Sequence, residues 1–259
     1  MSFQDAYDAL VTRWNVPVDH LDLAGTHVLA CGPADAPPMV LLAGHGATAP
    51  VWFRLAPHLA QTHRVYAPDL PGDAGFSTAP PPRTPSDVVT WLSTVVGDLT
   101  DPVLVGHSYG AWIALTYALQ SPVSRLVLLD PTDCFTALSP TYVARALPLL
   151  IRPSERRHTA FLTWETQGLP LDPDWLHLSA LAAVQPTTKP VRPHRPKPAA
   201  LKTLPPTTVV IPDRTKAHNP QALAQAAQTA GATTTHIPQA THHSLPTLHT
   251  PALLTALLP

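Results

Sequence analysis

The sequence predicts an α/β protein: a mostly parallel central sheet with helices on both faces and a small helical cap inserted between the last core strands. Three observations carry this. Short apolar runs bounded by Gly, Pro or Asp recur between residues 37 and 131 and return at 207. Longer stretches with apolar residues at helical spacing alternate with them. From about 135 to 199 the strand-like runs stop. A strand buried on both faces has no polar side, so it reads as a continuous apolar run, and strands that alternate with helices join as parallel crossovers.

Taken in order, HLDLAGTHVLACGP (20–33) alternates with period two and predicts a leading antiparallel hairpin. PPMVLLAG (37–44), HRVYAPDL (63–70), DPVLVGHS (101–108) and SRLVLLDP (124–131) each predict a strand buried on both faces. PVWFRLAPHLAQ, PSDVVTWLSTVVGDL and YGAWIALTYALQ lie between them and predict helices. SPTYVARALPLLI and SERRHTAFLTWETQ continue in helical patterns without strands. TTKPVRPHRPKPAALKTLPP is basic and too dense in proline for helix or sheet, so it reads as a solvated linker. TTVVIPD (207–213) resumes the sheet, and in NPQALAQAAQTAG Asn219 suits a cap and Pro220 the first helical position. THIPQA and a C-terminal helix close the chain. The expected organisation is one discontinuous core, residues 1–134 and 200–259, with residues 135–199 as a helical cap.

Composition narrows the function. A chain of 259 residues, 45% hydrophobic and 13% charged, suits one large buried core. A formal charge of −1 gives no support for nucleic acid or an acidic membrane as partner. Two cysteines, Cys31 and Cys134, without ligand-like clustering argue against a disulfide scaffold or a zinc knuckle. The N-terminus MSFQDAYDALVTRW lacks a basic region followed by an apolar run, and no apolar stretch reaches membrane-span length, so a cytoplasmic location is expected.

The chemistry centres on LVGHSYGAW. Ser108 follows a buried strand, precedes a helix and is flanked by Gly106 and Gly110. A sharp strand-to-helix turn with small neighbours projects a serine oxygen clear of a sheet, the arrangement of a nucleophile elbow. Such a serine needs a base, and the base a carboxylate, in the chain order serine, acid, histidine. IPQATHHSLP offers His242 and His243, of which His242 first clears the strand. Asp213 ends the penultimate strand and is the preferred acid; Asp130, ending LVLLD, is the alternative and Asp133 a weaker third. For the oxyanion, the N–H of Tyr109 and that of His45 in GHGAT are the expected donors, with Gly46 the alternative to His45. Trp52, Phe53, Phe76, Trp112, Phe135 and Trp164 are candidates for an apolar substrate wall, although each suits core packing as well.

With these residues in place, the chain resembles an α/β-hydrolase-fold serine hydrolase of the bacterial carboxylesterase type. The resemblance is carried by PPMVLLAGHGAT, RVYAPDLPGDAGFS, VGHSYGAWIAL, LVLLDPTDCF, VVIPDRTKAHNP and IPQATHHSLP, across nearly the whole core. It implies the α/β-hydrolase fold, with Ser108 as nucleophile, His242 as base and the carboxylate after the penultimate strand, here Asp213, as acid. It implies a small-molecule ester or thioester as partner and no cofactor or metal. Two departures stand out. The usual His-Gly is Ala43-Gly44 here, with histidine displaced to 45, and Thr215 and Asn219 stand where many relatives carry an Asp. Ester hydrolysis is the leading expectation. A thioesterase, or a cyclase or lyase using Ser108 and His242 for acid–base work, is the alternative; a non-enzymatic binding protein on this fold would lack part of the triad.

Overall fold

The computed structural model describes residues 1–258. It opens with α1 (Phe3–Thr12), the hairpin β1 (Val18–Leu23) and β2 (Thr26–Cys31), then β3 (Pro38–Leu42), a 3-10 turn (Ala49–Trp52), α2 (Ala56–Leu59) and β4 (Arg64–Pro68). α3 (Pro85–Val96), β5 (Val103–His107), α4 (Tyr109–Ala118) and β6 (Arg125–Leu129) follow. Next come α5 (Pro140–Ile151), α6 (Glu155–Glu165), α7 (Pro173–Ala182) and a short α8 (Pro198–Leu201). β7 (Thr207–Pro212), α9 (Pro220–Thr229), β8 (Thr233–Ile237), α10 (Leu245–Leu248) and α11 (Thr250–Leu257) complete the chain.

The eight strands form one sheet in the order β1-β2-β4-β3-β5-β6-β7-β8. β2 pairs antiparallel with β1 and β4, and every pairing from β4/β3 to β7/β8 is parallel. The apolar runs are continuous because successive residues feed opposite cores: Met39, Leu41 and Ala43 pack on one face of β3, Val40 and Leu42 on the other. α4 runs through the second core with Ala111, Trp112, Ala114 and Leu115 all at 0% exposure.

Local sequence explains the helix starts. Thr84 and Asp87 form a reciprocal capping box on α3, and the Asn219 side chain accepts from Ala222 N–H at α9. Two expectations need revision. The predicted helix at 50–61 is a 3-10 turn and a single turn of α2, since Pro57 inside it lacks the N–H that would continue the amide ladder. α1 went unanticipated; its Arg13 forks onto Asp172 of the segment before α7, at 2.6 and 2.7 Å, tying the N-terminus to the insertion. The predicted linker is irregular apart from α8, and Val191 and His194 accept from Tyr109 Oη and Trp112 Nε1 at 3.1 and 3.2 Å. It is therefore packed along α4 rather than free. Ser108, Asp130 and the loop carrying His242 follow the C-terminal ends of β5, β6 and β8, so one edge of the sheet gathers them.

Candidate active site

Ser108 has φ 56° and ψ −116°, a conformation costly for a residue with a Cβ, by about 1–3 kcal/mol. The backbone there is over-determined. Ser108 N–H donates to Leu129 O of β6 at 3.0 Å, and its carbonyl accepts from Ala111 and Thr132 at 3.1 and 3.2 Å. The flanking glycines are required for room: a Cβ on Gly106 would lie 2.3 Å from Gly110 O, and one on Gly110 would lie 2.2 Å from Leu42 O. The turn can fold only if both stay bare.

Ser108 Oγ lies 2.9 Å from His242 Nε2 and 3.1 Å from Thr132 Oγ1. His242 Nδ1–H donates to Asp130 Oδ2 at 2.7 Å, and that oxygen also accepts from Thr215 Oγ1 at 2.6 Å. Burial opposes the imidazolium, but the hydrogen bond to Asp130, its charge and that of Glu165 raise the His242 pKa above the ordinary value. Burial likewise opposes ionisation of Asp130, and His242, His218 and Thr215 hold its carboxyl below the usual carboxylate range. The result is an oriented carboxylate behind an imidazole aimed at a hydroxyl.

The preferred acid from the sequence is not the carboxylate on His242. Asp213 instead accepts from His236 Nδ1 at 2.7 Å on the surface, where both side chains are 41% exposed. Two residues later the loop turns inward, and Thr215, not a carboxylate, reaches the site and bonds Asp130. Asp133, in the turn after Asp130, makes no hydrogen bond to either histidine of the 242–243 pair.

A Cβ on Gly44 would lie 3.2 Å from Ser108 Cβ, so the GHG turn packs directly on the turn at Ser108. The N–H of Gly46 is taken by Asp73 Oδ2 at 2.9 Å, which leaves it unavailable as a donor. The N–H groups of His45 and Tyr109 have no acceptor among the described residues. The His45 imidazole bonds the same Asp73 oxygen at 2.9 Å; burial opposes its charge, yet the Asp73 hydrogen bond and charge raise its pKa overall.

Of the aromatic candidates, Trp52 and Phe53 are buried in one core, and Trp112 and Phe135 in the other. Phe76 packs edge-on against Tyr7 and His27. Only Trp164 joins the aromatic group around the histidines, with Phe161 and Tyr142, and the Tyr142 ring meets His242 edge-on at 5.7 Å. Two cavities flank the site, and Ser108 lines neither. One touches His45, Tyr109, Trp91, Ile113 and Val191; the other touches Trp164, Lys216 and His218.

Thr132, Thr215, His107, His218, Asp73 and Glu165 also surround the site without being predicted as site residues. His107 carried a signal, as the residue before Ser108, and Asp73 lies inside the DLPGDAGFS segment. Glu165 carried none, since it simply ends α6 with no motif around it.

Comparison with known proteins finds relatives of this chain. The profile of a family described as "Alpha/beta hydrolase family" matches residues 39–257. Carboxylesterase YbfK of Bacillus subtilis is 26% identical over 175 residues, covering 64% of this chain and 58% of the relative. An uncharacterized carboxylesterase, nap, of the same organism is 30% identical over 144 residues, 54% of this chain and 47% of its own length. In each case the match spans only about half of the relative. The crystal structure of carboxylesterase CesB (YbfK) from Bacillus subtilis superposes with a TM-score of 0.88 at 22% identity, covering 99% of this chain and 97% of that one. Among the described residues no helix is long and apolar enough to cross a membrane.

Proposed function

The chain belongs to the alpha/beta hydrolase family, and from that premise we propose that it is a serine hydrolase of carboxylic esters acting through an acyl-enzyme. The observation that carries this reading is the continuous relay from Asp130 Oδ2 to His242 Nδ1 at 2.7 Å and from His242 Nε2 to Ser108 Oγ at 2.9 Å. The carboxylesterase relatives favour ester substrates.

In this mechanism His242 Nε2 takes the Ser108 proton as Oγ attacks the ester carbonyl carbon. Asp130 fixes the tautomer with the proton on Nδ1 and stabilises the imidazolium that forms. The N–H groups of Tyr109 and His45 hold the tetrahedral oxyanion. The imidazolium then protonates the departing alkoxide, leaving Ser108 acylated. Water, deprotonated by His242, attacks the acyl carbon, and the carboxylate leaves as Ser108 regains its proton. The carboxylate after β6 thus takes the role that the sequence assigned to Asp213. The helices between β6 and β7 form the cap over the substrate.

The test is turnover of p-nitrophenyl esters and of acyl thioesters by wild type and Ser108→Ala, with fluorophosphonate labelling followed by peptide mass analysis. Wild type is expected to turn over esters and to label at Ser108, and Ser108→Ala to lose at least about 10³-fold in kcat. Equal turnover by the two proteins, or a folded wild type that resists the label, sinks the reading. Preference for the thioester arm would redirect it to a thioesterase.

A further inference from the structure

Resting on that reading, we propose that Glu165, at the end of α6 in the insertion, is a positioning residue for the base: it binds the backbone of the His242 loop and holds His242 against Ser108.

The loop between β8 and α10 leaves the sheet and so loses the strand partners that would satisfy its amides. One fully buried carboxylate replaces them. Glu165 Oε1 accepts from His242 N–H at 3.0 Å; Oε2 accepts from His243 N–H at 3.0 Å, Thr241 Oγ1 at 3.1 Å and His243 Nδ1 at 3.1 Å. Its side chain is 0% exposed. Three consecutive residues of the loop therefore hang on one side chain that lies 76 to 78 positions earlier in the chain.

His242 is thereby held from four directions. Asp130 takes its Nδ1–H and Glu165 its backbone N–H; His107 Nε2–H donates to its carbonyl at 3.0 Å, and Tyr142 covers its ring edge at 5.7 Å. His107 ends β5 and Asp130 directly follows β6, whereas Glu165 and Tyr142 come from α6 and α5. The insertion is then part of the base's mounting as well as a cover for substrate. Burial opposes ionisation of Glu165, but the hydrogen bond and charge of His243, with the charge of His242, hold its carboxyl at about 2, so the loop hangs on an anion. The other titratable groups facing His242 are Asp130, His107, His218, Tyr142 and His243, with His158 of α6 beyond His243.

The experiment compares Glu165→Gln and Glu165→Asp with wild type. Gln keeps the volume but removes the charge and turns one acceptor into a donor facing N–H groups. The expected result is a kcat lower by about 10–100-fold with KM within about threefold, because the base is misaligned while the pocket stays. The acid limb of the kcat/KM–pH profile should move to lower pH, since removing a nearby anion disfavours the imidazolium and the neutral form is the active one. The His242 imidazole, followed by ¹⁵N NMR and assigned by its loss in His242→Asn, should titrate lower in parallel. Glu165→Asp keeps the charge but falls short of the loop, so kcat should drop with the limb in place. If Glu165→Gln fails to fold, the Asp variant carries the test, and full kcat from folded Glu165→Asp overturns the proposal. So does an unchanged His242 titration in folded Glu165→Gln with kcat falling only in step with folded fraction by circular dichroism. The NMR titration needs no turnover, so failure of the esterase reading would appear separately, as the absence of Ser108-dependent hydrolysis in wild type.

Discussion

Two imidazole–carboxylate pairs in this molecule have the same length and opposite surroundings. His242 and Asp130 meet at 2.7 Å with side chains 2% and 0% exposed; His236 and Asp213 also meet at 2.7 Å, with both 41% exposed. In water such a pair contributes about 0–1 kcal/mol, and its side chains reorient freely. In the interior the unpaired alternative is far costlier, so the partners stay fixed and the tautomer is set. Asp130 is held further by Thr215, while His218 Nε2 stands 4.0 Å from its other oxygen. What separates a relay from a surface ion pair here is the enclosure, and the hydrogen-bond length carries no information about it.

The sharpest break of this comparison is Asp130→Asn. It should lower kcat by about 10³–10⁴-fold with little change in KM, because the amide no longer favours the productive tautomer or the imidazolium. Steady-state kinetics checks it, and a loss under tenfold would remove Asp130 from the relay. Next is the pH profile. Because the Asp130 hydrogen bond and charges around His242 raise its pKa, activity should fall as pH drops through a value above that of an ordinary histidine. Moving to 1 M salt should leave that limb nearly in place, since mobile ions do not reach a buried pair. A smaller effect is expected of Thr215→Val, which removes one hydrogen bond to Asp130 Oδ2 and the acceptor of Ala217 N–H at 3.0 Å. A kcat lower by about 3–10-fold is the expected outcome, from a cost of about 1 kcal/mol. The smallest effect is that of Asp213→Asn, which should leave kcat within about twofold and stability within about 1 kcal/mol by thermal unfolding. A loss of tenfold or more there would hand the acid role back to Asp213.

The same contrast explains how much of the site was legible in the sequence. Ser108 was legible because its turn needs a local pattern, a buried strand, two small neighbours and a helix, all contiguous in the chain. His242 was legible by order and by its place after the last strand. Asp213 and Asp130 each follow a strand, and the sequence favours Asp213 only because it lies nearer the histidine loop in chain order. What distinguishes them is which way the chain turns after the strand, and that is decided by packing between β6, β7 and the loops above them. The elements followed the same logic. β3 to β7 were readable because both faces are buried, and the break between the 3-10 turn and α2 falls just before Pro57, which has no N–H to continue the ladder.

The sequence by itself determined the alternation of buried strands and covering helices, the glycine-flanked turn at Ser108 and the place of His242 after the last strand, because each is written in neighbouring residues. The tertiary structure alone decided the carboxylate on His242, the occupation of the Gly46 N–H by Asp73, and the anchoring of the 241–243 loop on Glu165. These are contacts across 27, 77 and 112 residues, set by where the loops cross above the sheet, and no local pattern encodes them.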